Sequence, residues 1–135
     1  MWEEYDTIIY ELNTNATGNM IAGFDLAGTL IQSISGDFLI RDIDDWIWTF
    51  ESIPKFLLSL YKEKWHIVIF SNHKGSRDLP IVREKINIMH QYLIKELDTD
   101  VPFDIFISYA NNTAKPLTIM YDIFCKIKKC ILIFT

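Results

Sequence analysis

The sequence predicts a three-layer α/β domain built on a parallel sheet, and three observations carry that prediction. Short apolar runs at 20–24, 67–70, 103–108 and 130–134 read as buried strands. Between them lie segments with apolar residues at helical spacing, long enough to cross over from one parallel strand to the next. Small polar or acidic residues stand at or just beyond the first three strand ends, where open α/β sheets place their chemistry.

A chain of 135 residues, half apolar and carrying nine Phe, six Tyr and four Trp, is one domain with material for a real core. We divide it into an arm at 1–19, the sheet and helices, and an insert at 31–53. The formal charge of −5 argues against a broad non-specific nucleic-acid surface, which needs clustered Lys and Arg, and leaves room for a small basic patch. Two cysteines, Cys125 and Cys130, are too few for a zinc set and read as reduced core residues. The acidic start has no leader pattern, and no run reaches the roughly 20 apolar residues of a membrane span. The expectation is a soluble intracellular protein, cytoplasmic or nuclear, with no membrane partner.

In chain order, Trp2, Tyr5, Ile8, Ile9 and Leu12 suggest a strand or an irregular arm packed by its aromatics, followed by a polar turn at 13–19. The first central strand, 20–24, runs into Asp25-Leu26-Ala27-Gly28-Thr29-Leu30. Two roughly alternating runs on either side of Ser35-Gly36-Asp37 predict a β-hairpin flap beside it. Ser52-Ile53-Pro54 opens a helix carrying Phe56, Leu57 and Leu60. After the strand ending at Phe70 come Ser71-Asn72-His73-Lys74-Gly75, then a helix over 79–97 with Ile81, Ile86, Met89, Leu93 and Leu97 on one side. A third strand at 103–108, a loop at 111–116, a helix at 117–127 and a fourth strand at 130–134 complete the alternation.

Strand ends and the loop after the third strand supply Asp25, Ser71, Asn72 and Lys115: a nucleophile candidate, two hydrogen-bond donors and a cation. A carboxylate can attack phosphorus to give an aspartyl-phosphate. The charge on the transferring group then needs donors and cations, which Ser71, Lys115 and the backbone amides at 26–28 can provide. Each residue also has a plainer reading. Asp25 alone suits a turn or cap, Ser71 and Asn72 can cap the next helix, and Lys115 can be a solvated surface lysine. His73, Lys74 and Arg77 suit a phosphate backbone or a solvated loop. Trp46 and Trp48 suit base stacking or core packing. The lysines at 126, 128 and 129 complement a helix C-terminus.

Gly23-Phe24-Asp25-Leu26-Ala27-Gly28-Thr29-Leu30-Ile31 resembles the first motif of haloacid dehalogenase-like phosphatases, with Ser71-Asn72 and Lys115-Pro116 resembling the second and third. The similarity is greatest to the polynucleotide kinase 3′-phosphatase branch, through Ala22 to Asp25, Ser35-Gly36, Asp45-Trp46 and Ile69 to Asn72. It runs from about residue 20 to the end of the chain. The resemblance implies a Rossmann-like α/β/α fold with no large cap domain and a role in DNA repair. It implies Asp25 as nucleophile, with Ser71, Asn72, Lys115, Gly28 and Thr29 around the phosphoryl group. Mg²⁺ would rest on Asp25 and the backbone carbonyl of Ala27, and Lys74, Arg77 and Trp46 would contact nucleic acid.

The chain departs from that family pattern twice. Ala27 stands where the family has a second Asp, the general acid-base, and losing such help typically costs roughly 10²–10⁴-fold in rate. The family's Gly-Asp motif after the fourth strand is absent before Thr135, so Mg²⁺ should be held weakly or not at all. The expected function is a phosphatase acting on a phosphorylated nucleic-acid end, strongly impaired or inactive in this form. Two alternatives stand beside it: a non-catalytic pseudophosphatase used as a binding module, and a phosphatase for a small phosphate ester resembling histidinol phosphate. Oligomeric state is not encoded in any pattern above.

Overall fold

The computed structural model describes residues 2–34, 43–73, 79–115 and 118–128. The predicted strand at 130–134, Cys130, Lys129, the Ser35-Gly36 turn with the return arm of the flap, Lys74, Arg77 and Pro116 lie outside these residues. The N-terminal arm is a hairpin, β1 (Glu3–Tyr5) and β2 (Ile8–Glu11), joined by Asp6-Thr7 with Asp6 at φ 53°. Asp is among the side chains that tolerate this left-handed conformation. After β3 (Met20–Phe24) comes a two-stranded sheet of β4 (Ile31–Gln32) and β5 (Ile47–Trp48), then α1 (Ile53–Lys62). The chain continues through β6 (Trp65–Asn72), α2 (Leu79–Leu97), β7 (Asp104–Ser108) and α3 (Ile119–Lys128).

The main sheet has the order β1-β2-β7-β6-β3, with β3, β6 and β7 mutually parallel. The expectation of a parallel sheet therefore holds for its centre. The hairpin corrects it at one side: β2 pairs antiparallel with β7, Ile8 opposite Ser108 and Glu11 opposite Ile105. Ile8 and Ile9 are both buried because they point to opposite sheet faces. The alternation builds two apolar layers. Ile9, Ile67, Ile69, Ile105 and Ile107 face Leu57 of α1 and Val82, Ile86 and Met89 of α2. Ile8, Ile21, Val68 and Phe106 face Met120 and Phe124 of α3. Helices thus cover both faces, giving the three layers read from the sequence.

One further expectation changes in detail. The stripe of α2 that enters the core runs through Leu79, Val82, Ile86, Met89 and Leu93, with Ile81 and Leu97 only half-buried at its margins. Among the described residues, β4 pairs with β5 across the insert, Ile31 opposite Trp48. Cys125 is a free, half-buried thiol. No helix among the described residues is long and apolar enough to cross a membrane.

Gly18, in the turn before β3, lies against the backbone that enters β6. A Cβ there would run into the carbonyl oxygen of Lys64 and come within 2.7 Å of the His66 nitrogen. Neither backbone group can yield without displacing the start of a central strand. Gly18→Ala is expected to lower unfolding free energy by about 3 kcal/mol, at the upper end of overpacking costs, as measured by urea denaturation.

Candidate functional site

Asp25 is delivered by β3, whose register with β6 sets Phe24 beside Ile69. Phe24 is steadied from the helix layer by Phe56, edge to face at 6.1 Å. Beyond it the chain folds over itself: the Leu26 carbonyl accepts from the amides of Leu30 (3.0 Å) and Ile31 (3.1 Å), and Gly28 N–H donates to the Ile31 carbonyl at 2.7 Å. Leu26, Leu30 and Ile31 are buried, whereas Ala27, Gly28 and Thr29 are exposed. Apolar anchors thus hold a small polar tip above the sheet. Gly28 has φ +79°, which a residue with a Cβ adopts only under strain.

The lysine comes from the loop that follows β7, at the same end of the parallel strands. Lys115 Nζ lies 2.9 Å from Asp25 Oδ1 and donates to the Phe70 carbonyl at 2.8 Å. The carbonyl anchors the ammonium at the end of β6 and leaves it facing the carboxylate. Asp25 Oδ1 also accepts from Leu26 N–H at 2.8 Å. Both side chains remain partly open, 45% exposed for Asp25 and 33% for Lys115. In that setting the pair contributes at most about 1 kcal/mol to stability, so its value is orientation.

Asn72, at the last position of β6, holds the lysine's backbone: its Oδ1 accepts from Lys115 N–H at 2.9 Å and its Nδ2 donates to the Lys115 carbonyl at 3.2 Å. Both ends of the amide are occupied by the loop. Ser71 is buried in β6 opposite Ile107 of β7. Of the loop amides offered for phosphate, those of Leu26 and Gly28 already donate within the chain. A cavity of about 500 Å³ opens alongside, lined by Asn72, His73, Ser108, Tyr109, Asn111 and Lys115. Trp46 is packed edge to face with Trp48 at 5.2 Å and Tyr92 at 5.5 Å, tying the small sheet to α2.

Three groups escaped sequence reasoning. Lys85 is buried in the apolar stripe of α2 and donates from Nζ to the Asp45 carbonyl at 2.9 Å, beneath the Asp45-Trp46 pair. Its spacing, three after Val82 and four before Met89, marked it as core-facing. Tyr109 bonds to Glu4, and that hydrogen bond, together with burial and the charges of Glu4 and Asp6, raises its phenol above the usual 10. The third group, His66 with Asp104 and Lys128, sits where β6 and β7 begin, at the opposite end of the sheet from Asp25.

Among the described residues, the acidic group at this strand end is Asp25, with the backbone of exposed Ala27 two residues on. Among the described residues no three His, Cys, Asp or Glu side chains gather around one point. Hard oxygens of this kind suit Mg²⁺, which takes one or two carboxylates and completes its shell with water and substrate phosphate.

A parallel α/β core with a carboxylate at the end of β3 and a lysine from the loop after β7 is the arrangement of a haloacid dehalogenase-like phosphatase. The fold is shared with D,D-heptose 1,7-bisphosphate phosphatase from B. bronchiseptica, crystallised with magnesium and phosphate, at a TM-score of 0.65. That match covers 82% of this chain and 64% of the other at 20% identity. The family model for the polynucleotide kinase 3 phosphatase matches residues 20–132, and the chain belongs to this family. A bifunctional polynucleotide phosphatase/kinase of Schizosaccharomyces pombe is 33% identical over 104 residues. The match takes in 76% of this chain and 25% of that protein, so the chain corresponds to a quarter of its relative's length.

Proposed function

We propose that this chain is an uncapped phosphatase domain that receives a phosphorylated nucleic-acid end, with Asp25 as nucleophile and turnover held very low by Ala27. The supporting observation is the Asp25–Lys115 pair at 2.9 Å, set by the Phe70 carbonyl in a chain of the polynucleotide 3′-phosphatase family. Asp25 attacks the terminal phosphorus and the P–O bond to the sugar breaks, leaving an aspartyl-phosphate and a sugar alkoxide that must take a proton. Lys115 offsets the charge of carboxylate and phosphoryl group, Ser71 supplies a hydroxyl nearby, and Asn72 keeps the Lys115 backbone in place. Water then cleaves the acyl phosphate to release inorganic phosphate. Protonating the alkoxide and deprotonating the water both require an acid-base group, and the Ala27 methyl can supply neither.

Asp25 and the Ala27 carbonyl would hold Mg²⁺, which would neutralise phosphoryl charge, and a single protein carboxylate implies weak affinity. The insert at 31–53 is long enough for a flap and too short for a capping domain, so a bulky nucleic-acid end has access. Such a substrate would place the domain in the nucleus or cytoplasm.

A 3′-phosphorylated oligonucleotide should be preferred over histidinol phosphate or a phospho-sugar in binding and in slow phosphate release. Asp25→Asn should abolish that release, measured as inorganic phosphate with Mg²⁺ present. Preference for the small ester would move the reading to a metabolite phosphatase. Ala27 specifically favours a second reading, a binding module without chemistry. Its signature is partner binding untouched by Asp25→Asn and no Mg²⁺ uptake by calorimetry.

A further inference from the structure

We infer that the N-terminal hairpin positions the Lys115 loop, acting through Thr7 in its turn and Thr113 in the loop; the inference rests on Lys115 being the cation for the substrate phosphate. Residues 109–115 form no helix or strand, yet they must hold an ammonium against Asp25. One end is held by Asn72, as described. The other is held from the β1–β2 hairpin, which lies before the segment that the family model matches.

The contacts are numerous and directional. Thr7 carbonyl accepts from Tyr109 N–H at 2.9 Å, continuing the β2–β7 ladder by one rung. Thr113 is fully buried, its Oγ1 lying 2.7 Å from Thr7 Oγ1 and 2.6 Å from Ser108 Oγ. Thr7 Oγ1 donates to Asn112 Oδ1 at 3.1 Å, and Asn112 Nδ2 donates to Asp6 Oδ2 at 3.3 Å. Each hydroxyl has one proton, and these are shared among the row and the Ala110 carbonyl, which accepts from Ser108 Oγ at 3.0 Å and lies 3.4 Å from Thr113 Oγ1. Outside it, the Tyr109 phenol reaches Glu4 and the Asp6 carbonyl. Consecutive bonds of this kind polarise one another, and a buried hydroxyl deprived of its partner has no water to turn to.

Thr113→Val and Thr7→Val keep shape and remove the hydroxyl, whereas Thr→Ser at either position keeps it. Two readouts separate positioning from bulk stability: hydrogen exchange at the Lys115 amide, and the ratio of affinities for 3′-phosphorylated and 3′-hydroxyl oligonucleotides. The valine variants should speed Lys115 exchange and reduce the phosphate preference about tenfold, in line with the cost of sub-ångström to ångström misplacement. The serine variants should restore both. Valine variants that retain Lys115 protection and phosphate preference overturn the inference. Should Thr113→Val not fold, Thr7→Val at its half-buried turn decides. If the unmodified chain shows no phosphate preference, the functional reading fails, and the exchange measurement still decides whether the hairpin positions the loop.

Discussion

Ala27→Asp is expected to raise phosphate release from a 3′-phosphorylated oligonucleotide by roughly 10²–10⁴-fold, the usual worth of one well-placed acid-base group. The loop can take the change. Ala27 is exposed, and the bonds that fold the loop come from its neighbours, the Leu26 carbonyl and the Gly28 amide, so no side-chain contact of Ala27 is sacrificed. A second carboxylate two residues from Asp25 would also stand near the Ala27 carbonyl, adding a hard oxygen for Mg²⁺. Tighter Mg²⁺ binding by calorimetry should therefore accompany the kinetic gain. The order of effects is diagnostic: a gain in kcat identifies restored proton transfer, whereas a fall in KM alone identifies restored binding. A folded variant that binds the phosphorylated end and releases no more phosphate would remove the catalytic reading of this chain and leave the binding module.

The sequence made legible what depends on local pattern. β3 and α2 could be placed because an apolar run or a helical stripe is bounded by Gly, Asp or Pro, and β6 and β7 because an apolar run gives way to small polar residues; Asp25, Ser71, Asn72 and Lys115 were singled out for lying at or beyond such strand ends. What was hidden depends on partners far along the chain. The N-terminal arm was ambiguous between strand and irregular segment because its pairing partner, Ser108 for Ile8, lies a hundred residues away. β4 pairs with β5, which lies on the far side of the insert. Asn72 illustrates a subtler gap: its strand-end position is visible in sequence, but the use of both amide ends on the Lys115 backbone is not. Lys85 and Thr113 are polar residues on core-facing positions, and their burial goes with partners distant in sequence: the Asp45 carbonyl for Lys85 and the Thr7 hydroxyl for Thr113.

The largest loss of stability from one substitution should come from Asp104→Ala, at about 3–5 kcal/mol by urea denaturation, the usual cost of breaking a buried charged pair from one side. Asp104 is inaccessible to solvent at the start of β7. Its Oδ1 accepts from Asn13 N–H at 2.7 Å, and its Oδ2 lies 2.7 Å from His66 Nε2 and 3.3 Å from Lys128 Nζ. Lys128 also donates to the carbonyls of Asn13 and Ala16, so this carboxylate joins β6, β7, α3 and the turn that leads into β3. Alanine would strand an ammonium, an imidazole and a backbone amide where little water reaches them. Asp104→Asn retains an acceptor for Asn13 and should cost less. The contrast with Asp25 follows from exposure: Asp25→Asn, in a half-open pair, should change stability by under about 1 kcal/mol. Because parallel strands put His66 and Asp104 at the sheet end opposite Lys115, molecules of Asp104→Asn that remain folded should keep their preference for a phosphorylated end. A loss of that preference at unchanged folded fraction would show that the buried cluster reaches the site, contrary to its place in the sheet.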